Sequence, residues 1–108
     1  MVHIVCDLGL ITITYMIKVT IKFFAGIKNQ IGVDIKEINI DGEVVTFDIL
    51  INRIIYILGP KAKNAFFTKD GLSNKFLAFV NGKIITDTKN TIINNGDNIY
   101  FMPPVSGG

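Results

Sequence analysis

The chain has 108 residues and a formal net charge of +2, from 11 lysine and arginine residues against 9 aspartate and glutamate residues. This length fits one domain and argues against a two-domain enzyme with a cleft between its lobes. With 49% hydrophobic and 19% charged residues, the composition lies outside the range of disordered chains and predicts a folded domain.

The positive charge is carried almost entirely by lysine, since Arg53 is the only arginine. The lysines are scattered along the chain, which is typical of a solvated surface and not of a nucleic-acid-binding face. Cys6 is the only cysteine, so the chain forms no internal disulfide. We expect a cytoplasmic protein that binds no nucleic acid.

The amino-terminal segment is apolar, but residues 8–17 are about half as long as a membrane-spanning helix. A signal peptide requires a positively charged start, but residues 1–7 contain no lysine or arginine. We therefore expect no membrane span and no secretion. Because a regular strand pattern opens at Met16, residues 1–15 are interpreted as a mis-called start or as an appended edge strand.

The first predicted elements are two strands. Alternation of apolar and polar residues over 17–23 predicts a half-buried strand. Residues 26–34 are polar and contain glycine, so they are interpreted as a connection. Residues 35–40 predict a second strand that ends at Asp41-Gly42, and the two strands are expected to form a hairpin.

Residues 44–58 predict a buried central helix. Polar residues recur at helical spacing from Asp48 to Tyr56, which leaves one polar stripe on an otherwise apolar segment. Thr46 is the expected N-cap, and Gly59, followed by proline, is the expected stop.

The remainder of the chain predicts a second hairpin and a last strand. The elements are, in order, a loop with at most one irregular turn (61–75), a buried strand (76–80), an Asn81-Gly82 turn, a short return strand (83–85), a turn (94–97) and a last strand (99–102). The last strand is expected to return beside the first. This order predicts an α+β fold in which a mixed sheet of about four to five strands packs on one main helix.

Residues that could form an active site are almost absent. His3 and Cys6 are the only histidine and cysteine, which excludes a Ser-His-Asp or Cys-His arrangement, and there is no HxxxH, Walker lysine or GxGxxG motif. Aspartates at predicted turns are expected to cap their own backbone: Asp34, Asp41, Asp70, Asp87 and Asp97. We expect no self-contained active site, no bound cofactor and no metal.

The carboxyl-terminal segment is the strongest functional signal. Pro103 and Pro104 stiffen the chain after the last strand, and residues 103–108 can reach about 20 Å. Gly107 and Gly108 have no side chains, so the backbone of a partner can approach them closely. The terminal carboxylate of Gly108 is then the expected reactive group, once ATP-dependent adenylation makes it susceptible to a sulfur or amine nucleophile. A frayed terminus without a role is the alternative.

Residues 17–108 resemble the MoaD/ThiS family of sulfur carriers, and most closely its molybdopterin branch. The matching pieces are Ile17-Lys18-Val19, Phe23-Phe24-Ala25, Thr46, Phe79-Val80-Asn81-Gly82, Asn95-Gly96-Asp97-Asn98-Ile99 and Phe101-Met102-Pro103-Pro104-Val105-Ser106-Gly107-Gly108. Residues 1–15 have no counterpart, residues 62–74 are not matched, and the arginine that often follows Phe-Phe-Ala is missing at 25–28.

The resemblance implies a ubiquitin-like β-grasp domain over residues 16–102, followed by a tail over 103–108. It implies that an E1-like (MoeB-like) adenylyltransferase activates Gly108 with ATP. A sulfurtransferase would then supply the sulfur that converts Gly108 to a thiocarboxylate. The tail would then enter a MoaE-like large subunit of molybdopterin synthase and donate sulfur to cyclic pyranopterin monophosphate.

A set of partner-binding residues follows from the tail and from strand alternation. If Ile99 and Phe101 face the helix, the neighbouring side chains of the last strand face outward beside the tail; the alternative is that loops or residues 1–15 cover them. The expected partner-binding residues are Tyr100, Met102, Pro103, Pro104, Val105 and Ser106.

Other functions use the same terminus. A ubiquitin-like modifier would form isopeptide bonds with lysines through Gly108, and a sulfur carrier for thiamine or tRNA thiolation would load it with sulfur in the same way. A β-grasp binding module with a passive tail is a further alternative.

Overall fold

The computed structural model describes residues 2–7, 9–69, 71–73 and 76–104. The strands in this part of the chain are β1 (Val2–Asp7), β2 (Leu10–Phe23), β3 (Ile35–Asp41), β4 (Val45–Thr46), β5 (Phe67–Thr68), β6 (Gly71–Leu72), β7 (Leu77–Val80), β8 (Lys83–Ile84), β9 (Ile92–Ile93) and β10 (Asn98–Met102). The helices are α1 (Ala25–Ile31), α2 (Phe47–Leu58) and α3 (Pro60–Phe66).

A mixed sheet with the strand order β3-β2-β10-β7-β8 forms one layer of the domain. The strands β2 and β10 are parallel, and the other neighbours in this order are antiparallel. The last strand therefore lies beside the first strand of the domain, as predicted, and the β2–β3 and β7–β8 hairpins are confirmed. The α+β prediction is confirmed, with three helices in the described residues instead of one main helix alone.

The central helix α2 begins and ends where its capping residues predict. The hydroxyl of Thr46 accepts a hydrogen bond from the backbone N–H of Ile49 at 3.4 Å, which satisfies one of the free donors of the first turn. At the other end Gly59 has a φ of 83°, a conformation that favours glycine, and its N–H donates to the Ile55 carbonyl at 2.8 Å.

The core between the sheet and the helices is rich in aromatic rings. Phe101 from β10 stacks on Phe23 from β2 at 5.5 Å between ring centroids. It also contacts Phe47, Phe66 and Phe76, at 6.0, 4.9 and 5.8 Å. Aromatic pairs at these separations add stability beyond the burial of their area, so the last strand is anchored at the centre of the core.

Residues 26–34 were predicted to be a connection, and this prediction is wrong because they contain most of α1. The helix buries Ile27 and Ile31, which lie one turn apart, and ends at Gly32 with a φ of 85°. Two apolar residues at a spacing of four are a weak signal, and the helix-disfavouring Gly26 within the first turn hides it.

The prediction of a loop over 61–75 is also wrong, because the first half of this segment forms α3 and the second half contains the short paired strands β5 and β6. Proline occupies the first turn of this helix, where its missing N–H costs nothing. Ala62 and Phe66 are fully buried one turn apart, whereas the residues between them are mainly polar. The burial of Phe66 in the aromatic core supplies the stability that the local sequence does not.

The strand β2 begins at Leu10 and not at Met16, where the strand pattern opens. Residues 10–15 pair with β1, from Val2 opposite Tyr15 to Asp7 opposite Leu10. Residues 16–22 pair with β3. The amino-terminal segment is thus continuous with the domain through a single long strand. No helix among the described residues is long and apolar enough to cross a bilayer.

Candidate functional site: the last strand and its exit

The strand β10 lies in the interior of the sheet and is the last strand before the predicted tail. It pairs with β2 from Asn98 to Phe101 and with β7 from Ile99 to Met102. Ile99 and Phe101 are fully buried, whereas Tyr100 between them is 38% exposed. Because sliding the strand would break two hydrogen-bonded ladders and withdraw two core residues, its end has a defined position.

A network of hydrogen bonds sets the register of this strand at its start. The side-chain N–H of Asn81 donates to one carboxylate oxygen of Asp97 at 2.9 Å, and the other oxygen accepts the backbone N–H of Asn94 at 2.8 Å. The backbone N–H of Asn98 donates to the side-chain oxygen of Asn81 at 2.9 Å. Asp97 is only 8% exposed, so these bonds also satisfy a buried carboxylate.

The same turn is tied to β2. The side-chain oxygen of Asn95 accepts the backbone N–H of Lys18 at 2.8 Å, and the N–H of Gly96 donates to the Lys18 carbonyl at 2.8 Å. Gly96 and Asn81 have φ values of 87° and 50°, in the left-handed region that glycine and asparagine tolerate best. The Val-Asn-Gly and Asn-Gly-Asp-Asn motifs therefore form one unit that fixes β10 between its two neighbours.

The chain leaves the sheet immediately after Met102. The N–H of Phe24 donates to the Phe101 carbonyl at 3.0 Å, which closes the ladder between β2 and β10. Pro103 and Pro104 follow, and both are exposed. Since proline has no N–H, neither residue can extend the ladder. The remaining predicted tail residues lie outside the described part of the chain, namely Val105, Ser106, Gly107 and Gly108.

An aromatic and basic cluster lies on the outer face of the sheet beside this exit. The rings of Tyr100 and Phe24 meet edge to face, with 5.5 Å between centroids and 67° between planes. The ammonium of Lys22 lies 5.0 Å from the centroid of Phe24, within the range of a cation–π interaction. Lys22 is also the register partner of Tyr100. The cluster therefore presents a positive charge next to exposed aromatic surface.

The apolar surface continues onto β7 and β8. Tyr100 is paired with Phe79, and Phe79 with Ile84, which is 51% exposed. Residues directly opposite each other in a sheet share one face, and Met102 lies on the same face two residues after Tyr100. We call Phe24, Phe79, Ile84, Tyr100 and Met102 the outer-face patch.

Sequence reasoning named two members of this patch, Tyr100 and Met102, and missed the other three. A signal for two of those was present, since a two-residue Asn81-Gly82 turn pairs residue 79 with residue 84. Met102 is half-buried and Tyr100 is exposed, and their role in binding stays a prediction.

The turn aspartates have structural partners. Asp87 accepts hydrogen bonds from the side chain of Asn90 at 2.9 Å and from the backbone N–H groups of Asn90 and Lys89 at 3.1 and 3.2 Å. These bonds, those of Asn90 first, hold the pKa of Asp87 below its ordinary value. The same loop supplies the Thr91 carbonyl to the N–H of Phe47 at the start of α2, at 2.9 Å.

The other predicted turn aspartates are placed differently. Asp34 forms an exposed ion pair with Lys28 at 3.7 Å, and Asp41 is the last residue of β3, so its prediction as a turn residue is wrong. Asp70 lies outside the described residues. In the part of the chain that the structure describes, no three histidine, cysteine, aspartate or glutamate side chains are grouped closely enough to hold a metal ion.

Comparison with known families identifies the chain. The model of the ThiS family matches residues 21–108, a span that contains β10, both turns of the hydrogen-bond network and the tail. The chain belongs to the ThiS family. It is thus a ThiS/MoaD-like sulfur carrier with a ubiquitin-like fold, as the resemblance implied.

Solved structures share the fold of this chain. SAMP1 of Haloferax volcanii is 24% identical, with a TM-score of 0.71, and the match covers 84% of this chain and 99% of that one. The small archaeal modifier protein 1 of Methanosarcina acetivorans is 27% identical, with a TM-score of 0.63 and coverages of 87% and 99%. A putative molybdopterin converting factor, subunit 1, from Pyrococcus furiosus is 24% identical, with a TM-score of 0.61 and coverages of 82% and 99%.

Comparison with curated protein sequences gives no significant match. The structural similarity to SAMP1 of Haloferax volcanii confirms the ubiquitin-like β-grasp fold.

Proposed function

We propose that this ThiS family protein carries sulfur for molybdopterin synthesis, as the small subunit of a molybdopterin synthase. One observation supports this above the others. The last strand is anchored in the aromatic core by Phe101 and stops at Met102, two exposed prolines follow it, and the sequence then includes Gly107 and Gly108. A rigid base and a side-chain-free tip suit a tail that is inserted into the active site of another protein.

The proposed chemistry takes place at the carboxylate of Gly108. An oxygen of this carboxylate attacks the α-phosphorus of ATP in a MoeB-like adenylyltransferase, and pyrophosphate leaves. A persulfide on a sulfurtransferase then attacks the acyl carbon, AMP leaves, and a thiol reduces the resulting acyl disulfide to the thiocarboxylate. In a MoaE-like large subunit, the thiocarboxylate sulfur forms a bond to a carbon of cyclic pyranopterin monophosphate as a C–O bond of that carbon breaks. Water then attacks the acyl carbon of Gly108, the acyl C–S bond breaks, the sulfur stays on the pterin and the carboxylate returns.

The residues of this chain contribute binding and positioning to that cycle. The outer-face patch lies beside the point where the tail leaves, so a partner that takes the tail can dock on it. Exposed aromatic residues at the centre of a patch are typical of residues that dominate binding energy. The ammonium of Lys22 above Phe24 favours an acidic residue on the partner.

The proposal is tested by the intact mass of the protein purified from its native cell. A fraction heavier by about 16 Da, the difference between sulfur and oxygen, is expected for a thiocarboxylate at Gly108. A variant that lacks Gly108 is the control, and its mass must show no such shift. A carrier that stays unmodified in cells that make the molybdenum cofactor would contradict the proposal.

A second candidate is a ubiquitin-like modifier that forms isopeptide bonds through Gly108. The similarity to the small archaeal modifier proteins of Haloferax volcanii and Methanosarcina acetivorans favours it. The same mass measurement separates the two, because a modifier yields larger species in which Gly108 is joined to lysine side chains of other proteins. Sulfur transfer to thiamine or tRNA would give the same thiocarboxylate, and is separated by the product that the loaded carrier supports.

A further inference from the structure

The strand β1 has an open edge. In the described residues β2 is the only strand paired with β1, and it pairs with it along residues 10–15. Backbone N–H and C=O groups of alternate residues in a strand point to opposite sides. Half of these groups in β1 therefore point to an edge where the described chain places no strand, and such an edge is a template for pairing with another strand.

The other edges of the sheet are protected against pairing with a further strand, whereas the edge of β1 is not. The edge strand β3 carries the exposed charges Lys36 and Glu37, and the edge strand β8 has two residues and begins at Lys83. Lysine side chains and short strands are the usual means of preventing edge pairing. Residues 1–15 contain no lysine, arginine or proline, and Asp7 is their only charged residue with His3 neutral.

The ribbon formed by β1 and residues 10–15 of β2 is an addition to the domain that the relatives share. The ThiS family model begins at residue 21, and solved structures are covered over 99% of their length by 82–87% of this chain. An isolated two-stranded ribbon is at best marginally stable in water. A third strand on the open edge would stabilise it.

We infer that the occupant of this edge is β1 of a second copy of the chain. Two identical strands that pair antiparallel are related by a two-fold axis, so each edge satisfies the other and the assembly closes as a dimer. The near absence of charge removes the like-charge repulsion that would otherwise arise when a strand pairs with itself. The result is a four-stranded antiparallel ribbon with the order β2-β1-β1-β2.

This dimer leaves both tails free. β10 is parallel to β2 and reaches the level of Phe23, whereas the ribbon ends at Tyr15, roughly 26 Å earlier along β2 at about 3.3 Å per residue. The points where the two tails begin, at Pro103, and the two outer-face patches then lie at the far ends of the assembly. The inference concerns assembly and does not depend on which acceptor receives the sulfur.

The test is the mass of the full chain in solution, measured by sedimentation equilibrium over a range of concentrations. The expected mass is twice the chain mass of 12.0 kDa. With the axis between Ile4 and Val5, Ile4 of one copy lies opposite Val5 of the other. The double variant Ile4→Lys, Val5→Lys therefore places like charges opposite each other at two points and is expected to be monomeric.

A charge-reversed partner makes the test specific. The double variant Ile4→Glu, Val5→Glu is also expected to be monomeric, and an equimolar mixture of the two variants is expected to recover the doubled mass. The control Asn29→Lys, Gln30→Lys adds the same charge on the exposed surface of α1 and must remain dimeric. A monomeric native chain, a dimeric lysine variant or a mixture that stays monomeric would each overturn the inference.

A second measurement needs no variant. Amide hydrogen exchange in β1 of the native chain is expected to slow as the protein concentration rises, whereas exchange in β10 stays constant. Exchange in β1 that is independent of concentration would also overturn the inference, and neither result bears on the sulfur chemistry of Gly108.

Discussion

The side chain of Asn81 donates a hydrogen bond to the carboxylate of Asp97 across 2.9 Å, and so joins the β7–β8 turn to the turn that precedes the last strand. Asn81 in turn accepts the N–H of Asn98, the first residue of β10. Asn81 and Asp97 are separated along the chain by the segment that contains β8 and β9. Their contact fixes the start of the strand whose other end delivers the tail.

Replacing Asp97 tests the importance of this network for stability. We expect Asp97→Ala to lower the free energy of unfolding by about 1–3 kcal/mol, because the N–H of Asn94 and the amide of Asn81 lose a partly buried acceptor. Urea denaturation measures the change. The control is Asp34→Ala, which removes an exposed ion pair with Lys28 and should cost at most about 1 kcal/mol. Equal losses in the two variants would contradict the proposed role of Asp97.

Replacing neighbouring residues of β10 separates its buried face from its exposed face. Phe101→Ala should lower the free energy of unfolding by about 3–5 kcal/mol, because it leaves a cavity among the rings of the core. Tyr100→Ala loses mainly an edge-to-face contact with Phe24, worth about 0.5–1.5 kcal/mol. Chemical denaturation of both variants checks the order, and a greater loss for Tyr100→Ala would show that the faces are assigned incorrectly.

The outer-face patch is tested by binding. Ile84→Glu and Tyr100→Glu should each weaken binding of the proposed E1-like partner at least about tenfold, because each buries a charge in an apolar contact. Isothermal titration calorimetry measures the change. Val44→Glu is the matched control, since Val44 is a similarly exposed aliphatic residue outside the patch, and its affinity should stay unchanged. An equal loss in all three variants would indicate a general effect of charge.

The loop around Asp87 makes a prediction about pH. A carboxylate whose folded-state pKa is lowered contributes stability above its unfolded-state pKa, and this contribution is lost as the pH falls through the folded-state value. We therefore expect the backbone N–H signals of Lys89 and Asn90 to shift only at strongly acidic pH, along with the Asp87 carboxyl signal in an NMR titration. Asp87→Asn should abolish that shared step. A midpoint at or above the ordinary aspartate value would contradict the hydrogen-bonded geometry.

Helix prediction succeeded where the local signal was complete. The helix α2 has a capping residue, a polar stripe and a glycine stop, all between Thr46 and Gly59. The helices α1 and α3 each bury two residues one turn apart. The burial of side chains such as Ile31 and Phe66 in the core stabilises these helices. Short segments of this kind depend on tertiary packing, which local propensity does not contain.

Prediction of the outer-face patch was incomplete for a related reason. Alternation along β10 separates Tyr100 from Phe101, so the exposed side of one strand follows from its sequence. Phe24 comes to Tyr100 only because β2 and β10 are neighbours in a particular register. Alternation along a strand predicts the face of the sheet on which a side chain lies, but it does not predict which strand lies beside it.

The order of residues alone determined the α+β class, the central helix, the two hairpins and the proline-stiffened Gly-Gly end, because each depends on residues that are close along the chain. The tertiary structure decided that the first half of β2 pairs with β1, that two short helices cover the core and that Lys22, Phe24 and Tyr100 meet beside the exit of the tail. These features depend on contacts between distant segments, and their energy becomes available only when the sheet has closed around Phe101.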